Sequence, residues 1–157
     1  MMATNAEGND VTPETLPGSL AGEPVRRETL VSDSGTSYVT RFMDIEQLGG
    51  ITFATIRQAQ LSEDDNLEEF GHELGLMVDK FHLKQLILDL SRVQYMTSSA
   101  IGRLIAFHRR MNRDKGILVL CQVRGTVRDI LSASQLLSYF RVADSRQQAV
   151  ELIVASL

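Results

Sequence analysis

The sequence predicts one α/β domain in which strands and helices alternate. Two short, almost continuously apolar runs, 86–90 and 117–123, are typical of strands buried on both faces. Segments around these runs carry apolar residues at helical spacing, and a β-hairpin pattern precedes them. The chain has 157 residues, 43% of them hydrophobic, which suits one soluble domain. We therefore expect a mixed sheet of four to five strands, packed with about four helices through right-handed crossovers.

The first 36 residues differ from the rest, and we expect a flexible acidic leader there, with the domain at 37–157. All three prolines, Pro13, Pro17 and Pro24, lie in this leader. Six acids against two arginines give it a net charge of −4, while the remaining chain has 14 residues of each sign. So few apolar residues cannot offset the entropy lost when a backbone becomes ordered.

A β-hairpin opens the predicted domain. Segments 38–45 and 51–56 are rich in β-branched and aromatic residues, and they flank Gly49-Gly50, a pair that readily supplies positive φ. Apolar residues at helical spacing between Leu67 and Phe81 then predict the first helix, whose early acids suit the positive end of the helix dipole.

The rest of the chain continues the alternation of strand and helix. Its pattern predicts, in chain order, a central strand at 86–90, a helix over 101–111 ended by Gly116, a strand at 117–123, a short helix over 127–131, a loop and short strand at 136–142, and a last helix over 145–157.

Charge and cysteine content narrow the function classes. A formal net charge of −4 gives no electrostatic case for binding nucleic acid. The single cysteine, Cys121, cannot form an internal disulfide, which suits a reducing compartment. The sequence shows no signal peptide and no apolar run of 18 residues, so we expect a cytoplasmic protein without membrane insertion.

Catalytic and metal-binding patterns are absent from the sequence. The turn-like segment 62–66 lacks the glycine and the distal glutamate of a calcium loop. His72, His82 and His108 have no ligand-like spacing with Cys121, and there is neither a Ser–His–Asp arrangement nor a glycine-rich phosphate loop. We therefore expect no catalytic residues, no metal, no cofactor and no enzymatic activity.

The segment after the central strand carries the most specific signal. It reads Leu88-Asp-Leu-Ser-Arg-Val-Gln-Tyr-Met-Thr-Ser-Ser-Ala-Ile-Gly-Arg-Leu104. This segment resembles the STAS domain of anti-sigma factor antagonists, in which a buried strand ends in Asp-Leu-Ser and a bend leads to Asp-Ser-Ser-Gly-Leu at a helix start. Thr97 stands where the family has the acid, and Ala100 where it has glycine. The likeness extends over about 38–157 and implies a STAS-type fold.

The resemblance implies a phosphorylation site at Ser98, because the family modifies the serine directly after the acid. Thr97 and Ser99 are weaker alternative acceptors. A helix N-terminus has unpaired N–H groups and a partial positive charge, so it tolerates a phosphate. From the hydroxyls alone, simple helix capping is an open alternative, since serine and threonine are favoured N-caps. Asp89 is either a binding residue or, as the family pattern suggests, a structural acid that hydrogen-bonds nearby backbone.

The mechanism implied by the resemblance is partner switching in bacterial transcription control. The unphosphorylated protein would bind an anti-sigma factor, a serine kinase of the histidine-kinase-like ATPase type, and release it once Ser98 is phosphorylated. A phosphatase would reset the protein. We expect the partner-binding surface to include Met96, Thr97, Ser98, Ser99, Ile101, Gly102, Arg103 and Phe107. Arg103, Arg110 and Arg113 form either a docking face for an acidic partner or an ordinary solvated face.

Two alternatives stay within the same family. The chain could be a scaffold subunit of a stressosome-like assembly, which the serine- and threonine-rich turn allows. It could also be the soluble STAS subunit of a lipid-transport ATPase, where the turn packs on a partner without any phosphate.

Overall fold

A six-stranded mixed sheet forms the centre of the fold. The computed structural model describes residues 25–27, 29–31, 37–62 and 66–157, and side chains are described within 40–62 and 66–157. The strands are β1 (Val25–Arg27), β2 (Thr29–Val31), β3 (Ser37–Val39), β4 (Met43–Leu48), β5 (Ile51–Ile56), β6 (Gln60–Leu61), β7 (Gln85–Asp89), β8 (Tyr95–Met96), β9 (Ile117–Cys121) and β10 (Arg141–Ala143). The helices are α1 (Leu67–Asp79), α2 (Ser98–Arg113), α3 (Gly125–Ala133) and α4 (Arg146–Ser156).

The sheet has the order β1-β4-β5-β7-β9-β10. Strands β5, β7, β9 and β10 are parallel neighbours, whereas β4 pairs antiparallel with β5 and β1 pairs antiparallel with β4. The β4–β5 hairpin turns at Gly49 and Gly50, whose φ angles of 58° and 85° glycine adopts without strain. Two small ladders, β2-β3 and β6-β8, lie outside this sheet.

Both faces of the sheet are covered by helices. Leu86 and Leu88 of β7 belong to a large core that includes residues of α1, α2 and α3, such as Phe70 and Leu104. Ile87 points the other way, into a smaller core with Ile153 of α4. Because successive strand residues face opposite sides, a strand covered on both faces must be apolar throughout. This double burial explains the apolar runs in the sequence.

The predicted α/β class, with a mixed sheet and four helices, is confirmed. The sheet has one more strand than expected, because β1 adds an edge within the range predicted to be leader. Residues 1–24 of that leader, and part of the turn predicted at 62–66, lie outside the described residues. The domain boundary at 36/37 stays a prediction.

Two predicted strands end differently from expectation. The strand predicted at 117–123 ends at Cys121, because Gln122 adopts a φ of 56° and its N–H donates to the Ala143 carbonyl at 3.1 Å. The strand predicted at 38–45 is split into β3 and β4 by an interruption at 40–42.

A buried carboxylate holds this interruption in place. Glu73 of α1 is 0% exposed. Its Oε1 accepts the backbone N–H of Arg41 at 2.7 Å, and its Oε2 accepts that of Phe42 at 3.1 Å. Charged acceptors make strong hydrogen bonds, and two of them compensate for burying the carboxylate. Glu73 thereby fixes α1 to the start of β4.

We expect Glu73→Ala to lower the free energy of unfolding by about 2–4 kcal/mol, because two backbone N–H groups lose their acceptor. Glu73→Gln, which keeps one acceptor oxygen, should lose less. Urea denaturation measures both values. Glu151→Ala, an exposed substitution on α4, is the control and should stay within about 0.5 kcal/mol of the unsubstituted protein. Equal effects for Glu73→Ala and the control would show that the carboxylate does not anchor 40–42.

Candidate functional site

Asp89 shapes the exit from the central strand. It ends β7 and is 6% exposed. Its Oδ1 accepts the backbone N–H of Ser91 at 2.8 Å, and its Oδ2 accepts the Gln122 side-chain amide at 3.3 Å. Both carboxylate oxygens are therefore engaged, one of them in a tight turn of the kind that aspartate favours. The predicted role of Asp89 as a structural acid bonded to nearby backbone is confirmed.

Backbone hydrogen bonds fix the loop that follows. The N–H groups of Gln94 and Tyr95 donate to the Ala59 carbonyl at 2.7 and 3.1 Å. The N–H of Thr97 donates to the Leu61 carbonyl at 3.1 Å, beside the parallel β6–β8 ladder. The chain therefore enters α2 from a held position and not from a free loop.

Of the three adjacent hydroxyl residues, Thr97 is the helix cap. Its backbone is extended, with φ −77° and ψ 166°, and its side chain accepts the N–H of Ala100 at 3.2 Å. Ser98 and Ser99 are the first two residues of α2 and are exposed. Within the described part of the chain, neither serine side chain makes a hydrogen bond. Capping thus accounts for Thr97 and leaves two serine hydroxyls facing solvent.

The predicted partner-binding residues divide into two groups. Ser98, Ser99, Gly102 and Arg103 are exposed and Thr97 is half-buried, whereas Met96, Ile101 and Phe107 are 2%, 8% and 5% exposed. The last three belong to the core and support the surface from beneath.

The sequence reasoning missed one exposed residue at this surface. Tyr95 is 46% exposed and lies two residues before the cap. Tyr95 and Met96 are neighbours in β8, so their side chains point to opposite sides of the strand. The burial of Met96 therefore places Tyr95 outside. Only the register of this two-residue strand shows which of Tyr95 and Met96 is exposed, and the periodicity of the sequence cannot give that register.

Helix α2 is basic beyond its first turn. It contains four arginines and no acid. Arg110 is held by Asp79 of α1 and lies 3.7 Å from Asp114, so it belongs to an ion-pair network. Arg103 and Arg113 have no carboxylate partner within the described residues. Of the three arginines predicted as a docking face, one is therefore engaged within the fold.

His108 packs the back of α2 against the loop before β10. The side chain is 4% exposed, and its ring centroid lies 4.9 Å from that of Tyr139 and 5.2 Å from that of Phe140. Its Nε2 lies 3.2 Å from Nδ2 of Asn112. Burial, and secondly the charge of Arg141, lower the pKa of His108 from its ordinary 6.5. The imidazole is therefore neutral at pH 7.

Cys121 lies in the core at the end of β9. Burial, followed by the nearby Asp89 carboxylate, raises the pKa of its thiol to about 12. The thiolate needed for reactivity is therefore scarce, as expected for an inert core cysteine. Within the described residues, no group of three or more His, Cys, Asp and Glu side chains is arranged to hold a metal ion. None of the helices described is long and apolar enough to cross a membrane.

Comparison with known sequences identifies one family. The family model of the STAS domain matches residues 32–149. BtrV from Bordetella bronchiseptica, a predicted anti-sigma factor antagonist, is 29% identical over 115 residues, which are 73% of this chain and 97% of BtrV.

Solved structures show the same fold. An anti-sigma factor antagonist from Mycobacterium paratuberculosis is similar with a TM-score of 0.62 and 17% identity, over 71% of this chain and 92% of that chain. The Bacillus cell fate determinant SpoIIAA, in its phosphorylated form, is similar with a TM-score of 0.54 and 16% identity, over 71% of this chain and 98% of that chain.

We expect Thr97→Ala to lower the free energy of unfolding by about 0.5–2 kcal/mol, because the Ala100 N–H loses its acceptor. Thr97→Ser and Thr97→Asp keep an acceptor oxygen and should lose little. Ser99→Ala serves as the matched hydroxyl deletion and should change stability by less than about 0.5 kcal/mol. Thermal and urea unfolding of the four variants check this. A larger loss of stability from Ser99→Ala than from Thr97→Ala would show that Thr97 is not the helix cap.

Stability should also depend on pH through His108. Because the folded protein lowers the pKa of this residue, the unfolded chain binds the proton more readily. The contribution of neutral His108 to the free energy of unfolding is complete above pH 6.5. It is lost as the pH falls from 6.5 through the lowered pKa of His108 in the folded protein. Urea denaturation of the protein and of His108→Phe across this window measures it. The difference between the two curves should shrink or reverse on acidification, and parallel curves would exclude His108 as the source.

Proposed function

Because the chain belongs to the STAS domain family, we propose that it is an anti-sigma factor antagonist that works by phosphorylation-controlled partner switching at Ser98. The unmodified protein binds an anti-sigma factor that is also a serine kinase of the histidine-kinase-like ATPase type. Sequestering this anti-sigma factor frees a sigma factor. Phosphorylation of Ser98 breaks the complex, and a phosphatase restores the binding form.

The observation that carries this proposal is the exposed Ser98 hydroxyl at the first position of a 16-residue helix. Thr97 already caps the helix, so the serine has no structural task in the described part of the chain. A phosphate on Ser98 would lie at the positive end of the helix dipole, near N–H groups without intrahelical partners. The domain therefore tolerates the modification without unfolding.

Helical spacing favours Ser98 over Ser99 as the switch. Residues three and four positions apart are neighbours on a helix surface. Ser98 has Ile101 and Gly102 at these positions, so no cation of α2 stands one turn away from its phosphate. Ser99 has Arg103 four residues ahead, which would pair with a phosphate on Ser99. Charge added to Ser98 is thus presented to a partner, whereas charge on Ser99 is partly neutralised within the helix.

The surface around Ser98 suits a partner that packs closely. Tyr95 supplies an exposed aromatic ring, and Gly102 has no side chain and no atom within 4 Å of its missing Cβ. Aromatic residues at protein–protein interfaces often contribute a large share of the binding free energy. A phosphate adds about −1.5 to −2 charges and considerable bulk in the middle of this surface. A partner that buried the free hydroxyl then meets a charge it cannot compensate.

The relatives support this proposal at the level of the family. BtrV, whose length is almost entirely matched, is a predicted anti-sigma factor antagonist, and SpoIIAA has been solved in a phosphorylated form. In the proposed reaction, the γ-phosphoryl group of ATP held by the kinase moves to Oγ of Ser98. The Ser98 hydroxyl gives its proton to a base of the kinase, and ADP remains on the kinase. This chain itself needs no nucleotide.

We expect Ser98→Ala to bind the kinase as tightly as the unphosphorylated protein and to resist phosphorylation. Ser98→Asp should bind at least tenfold more weakly, because it places a charge where the partner buries a hydroxyl. The measurement is isothermal titration calorimetry against each purified histidine-kinase-like serine kinase encoded in the same genome. Ser99→Asp is the matched control for an added charge and should weaken binding less than Ser98→Asp.

Phosphopeptide mass spectrometry completes this test. Incubation with the binding kinase and ATP should place phosphate on Ser98. Equal binding by Ser98→Ala and Ser98→Asp would remove the switch. Modification confined to Thr97 or Ser99, together with a very large particle in gel filtration, would favour a stressosome-like scaffold instead. Co-purification with a membrane ATPase, without any phosphate, would favour the transport subunit.

A further inference from the structure

A groove of about 170 Å³ runs between α1 and α2. Its lining consists of Gly71, Leu74 and Gly75 from α1, and Arg103, Ala106, Phe107 and Arg110 from α2. Arg103, Ala106 and Arg110 follow Ser99 at helical spacing, so they continue the stripe that begins at the exposed start of α2. Arg103 stands five residues after Ser98, about 7.5 Å along the helix axis and about 140° around it.

The floor of the groove is open because two residues of α1 lack side chains. No atom lies within 4 Å of the position that a Cβ of Gly75 would take. A Cβ on Gly71 would come within 2.9 Å of Nη1 of Arg103. The missing methyl group at Gly71 therefore gives the guanidinium of Arg103 its place against α1. Glycine inside a helix is destabilising by roughly 1 kcal/mol relative to alanine, so Gly71 and Gly75 keep the groove open at a cost in stability.

Among the residues that line the groove, the charge left over is positive. Arg110 at one end is neutralised by Asp79 and Asp114. On α1, Glu73 is buried and bonded to backbone, and Glu69 pairs with Arg41 at 3.1 Å. Arg103 has no carboxylate partner within residues 40–62 and 66–157. An occupant that brings a carboxylate to Arg103 would complete the pattern that Arg110 and Asp79 already form.

We propose that this groove binds an acidic segment of the anti-sigma factor, with a carboxylate on Arg103 and an apolar side chain on the floor beside Leu74 and Phe107. The proposal rests on the proposed function and adds a second contact region to it. The partner covers Ser98 and extends along α2 into the groove. Arg103 suits this role because its planar guanidinium binds a carboxylate through two parallel hydrogen bonds.

The first experiment tests the charge. The probe is the purified serine kinase that binds the unphosphorylated protein, and calorimetry measures its dissociation constant. Arg103→Glu should weaken binding at least tenfold. Arg109→Glu is the matched control, because it makes the same charge change on an exposed position of the same helix outside the groove. Its effect should stay below threefold. Equal effects of the two variants would reduce Arg103 to a contributor to long-range attraction and overturn the proposal.

The second experiment fills the groove without changing any charge. Gly75→Leu places an apolar side chain in open space, so the domain should keep its fold, which thermal melting verifies. This variant should also bind the kinase at least tenfold more weakly. Hydrogen exchange adds an independent readout. Kinase binding should protect the amides of α1 as well as those at the start of α2, whereas protection confined to α2 would place the partner outside the groove.

The experiments distinguish a failure of the groove proposal from a failure of the partner-switching proposal. If Ser98→Ala binds the kinase and Ser98→Asp does not, while Arg103→Glu and Gly75→Leu bind normally, the groove proposal is wrong and partner switching stands. If the unsubstituted protein binds no kinase, both fall together. A third outcome is hydrogen-exchange protection of α1 in the free protein, lost when Glu7, Asp10, Glu14 and Glu23 are neutralised. This outcome would assign the groove to the chain's own acidic segment and would contradict the proposal.

Discussion

The burial of strand β7 on both faces is the constraint from which the other features follow. A strand that is apolar on both sides needs hydrogen-bonded neighbours on each edge, which β5 and β9 supply, and a helical layer on each face. Its parallel neighbours require crossovers, so the chain must leave β7 at the end of the sheet and return through a helix. The turn from Asp89 to Ser98 therefore lies at the carboxyl edge of the sheet, where α/β folds commonly present their binding residues.

Hydrogen bonds hold the backbone of this turn in place. Asp89 holds the turn, Ala59 and Leu61 accept the following backbone N–H groups, and Thr97 caps the helix. A rigid support of this kind lets a chemical change at Ser98 alter the surface while the fold stays the same. The neutral His108 and the engaged Arg110 play the same part further along α2, since they fix the helix that carries the surface.

The sequence pattern predicted most of the fold, because amphipathic spacing and buried strands depend on local residue order. The motif around Asp89 and Ser98 also predicted the site that we propose. The features that it missed depend on distant contacts. The interruption at 40–42 is held by Glu73, which is more than thirty residues away in the chain. The pairing of Arg110 with Asp79 requires the packing of α1 on α2, and the exposure of Tyr95 requires the register of β8.

Thr97 bears on the stability of the phosphorylated state in the proposed switch. The family's usual residue at this position is an acid, which would repel a neighbouring phosphate, whereas threonine caps the helix without any formal charge. In the proposed switch, a phosphate on Ser98 meets the helix dipole with no opposing carboxylate in the cap. Charge repulsion from the cap would then not destabilise the phosphorylated domain. In the proposed switch, a phosphate on Ser98 would therefore persist until a phosphatase removes it, and the protein would keep a record of a past signal.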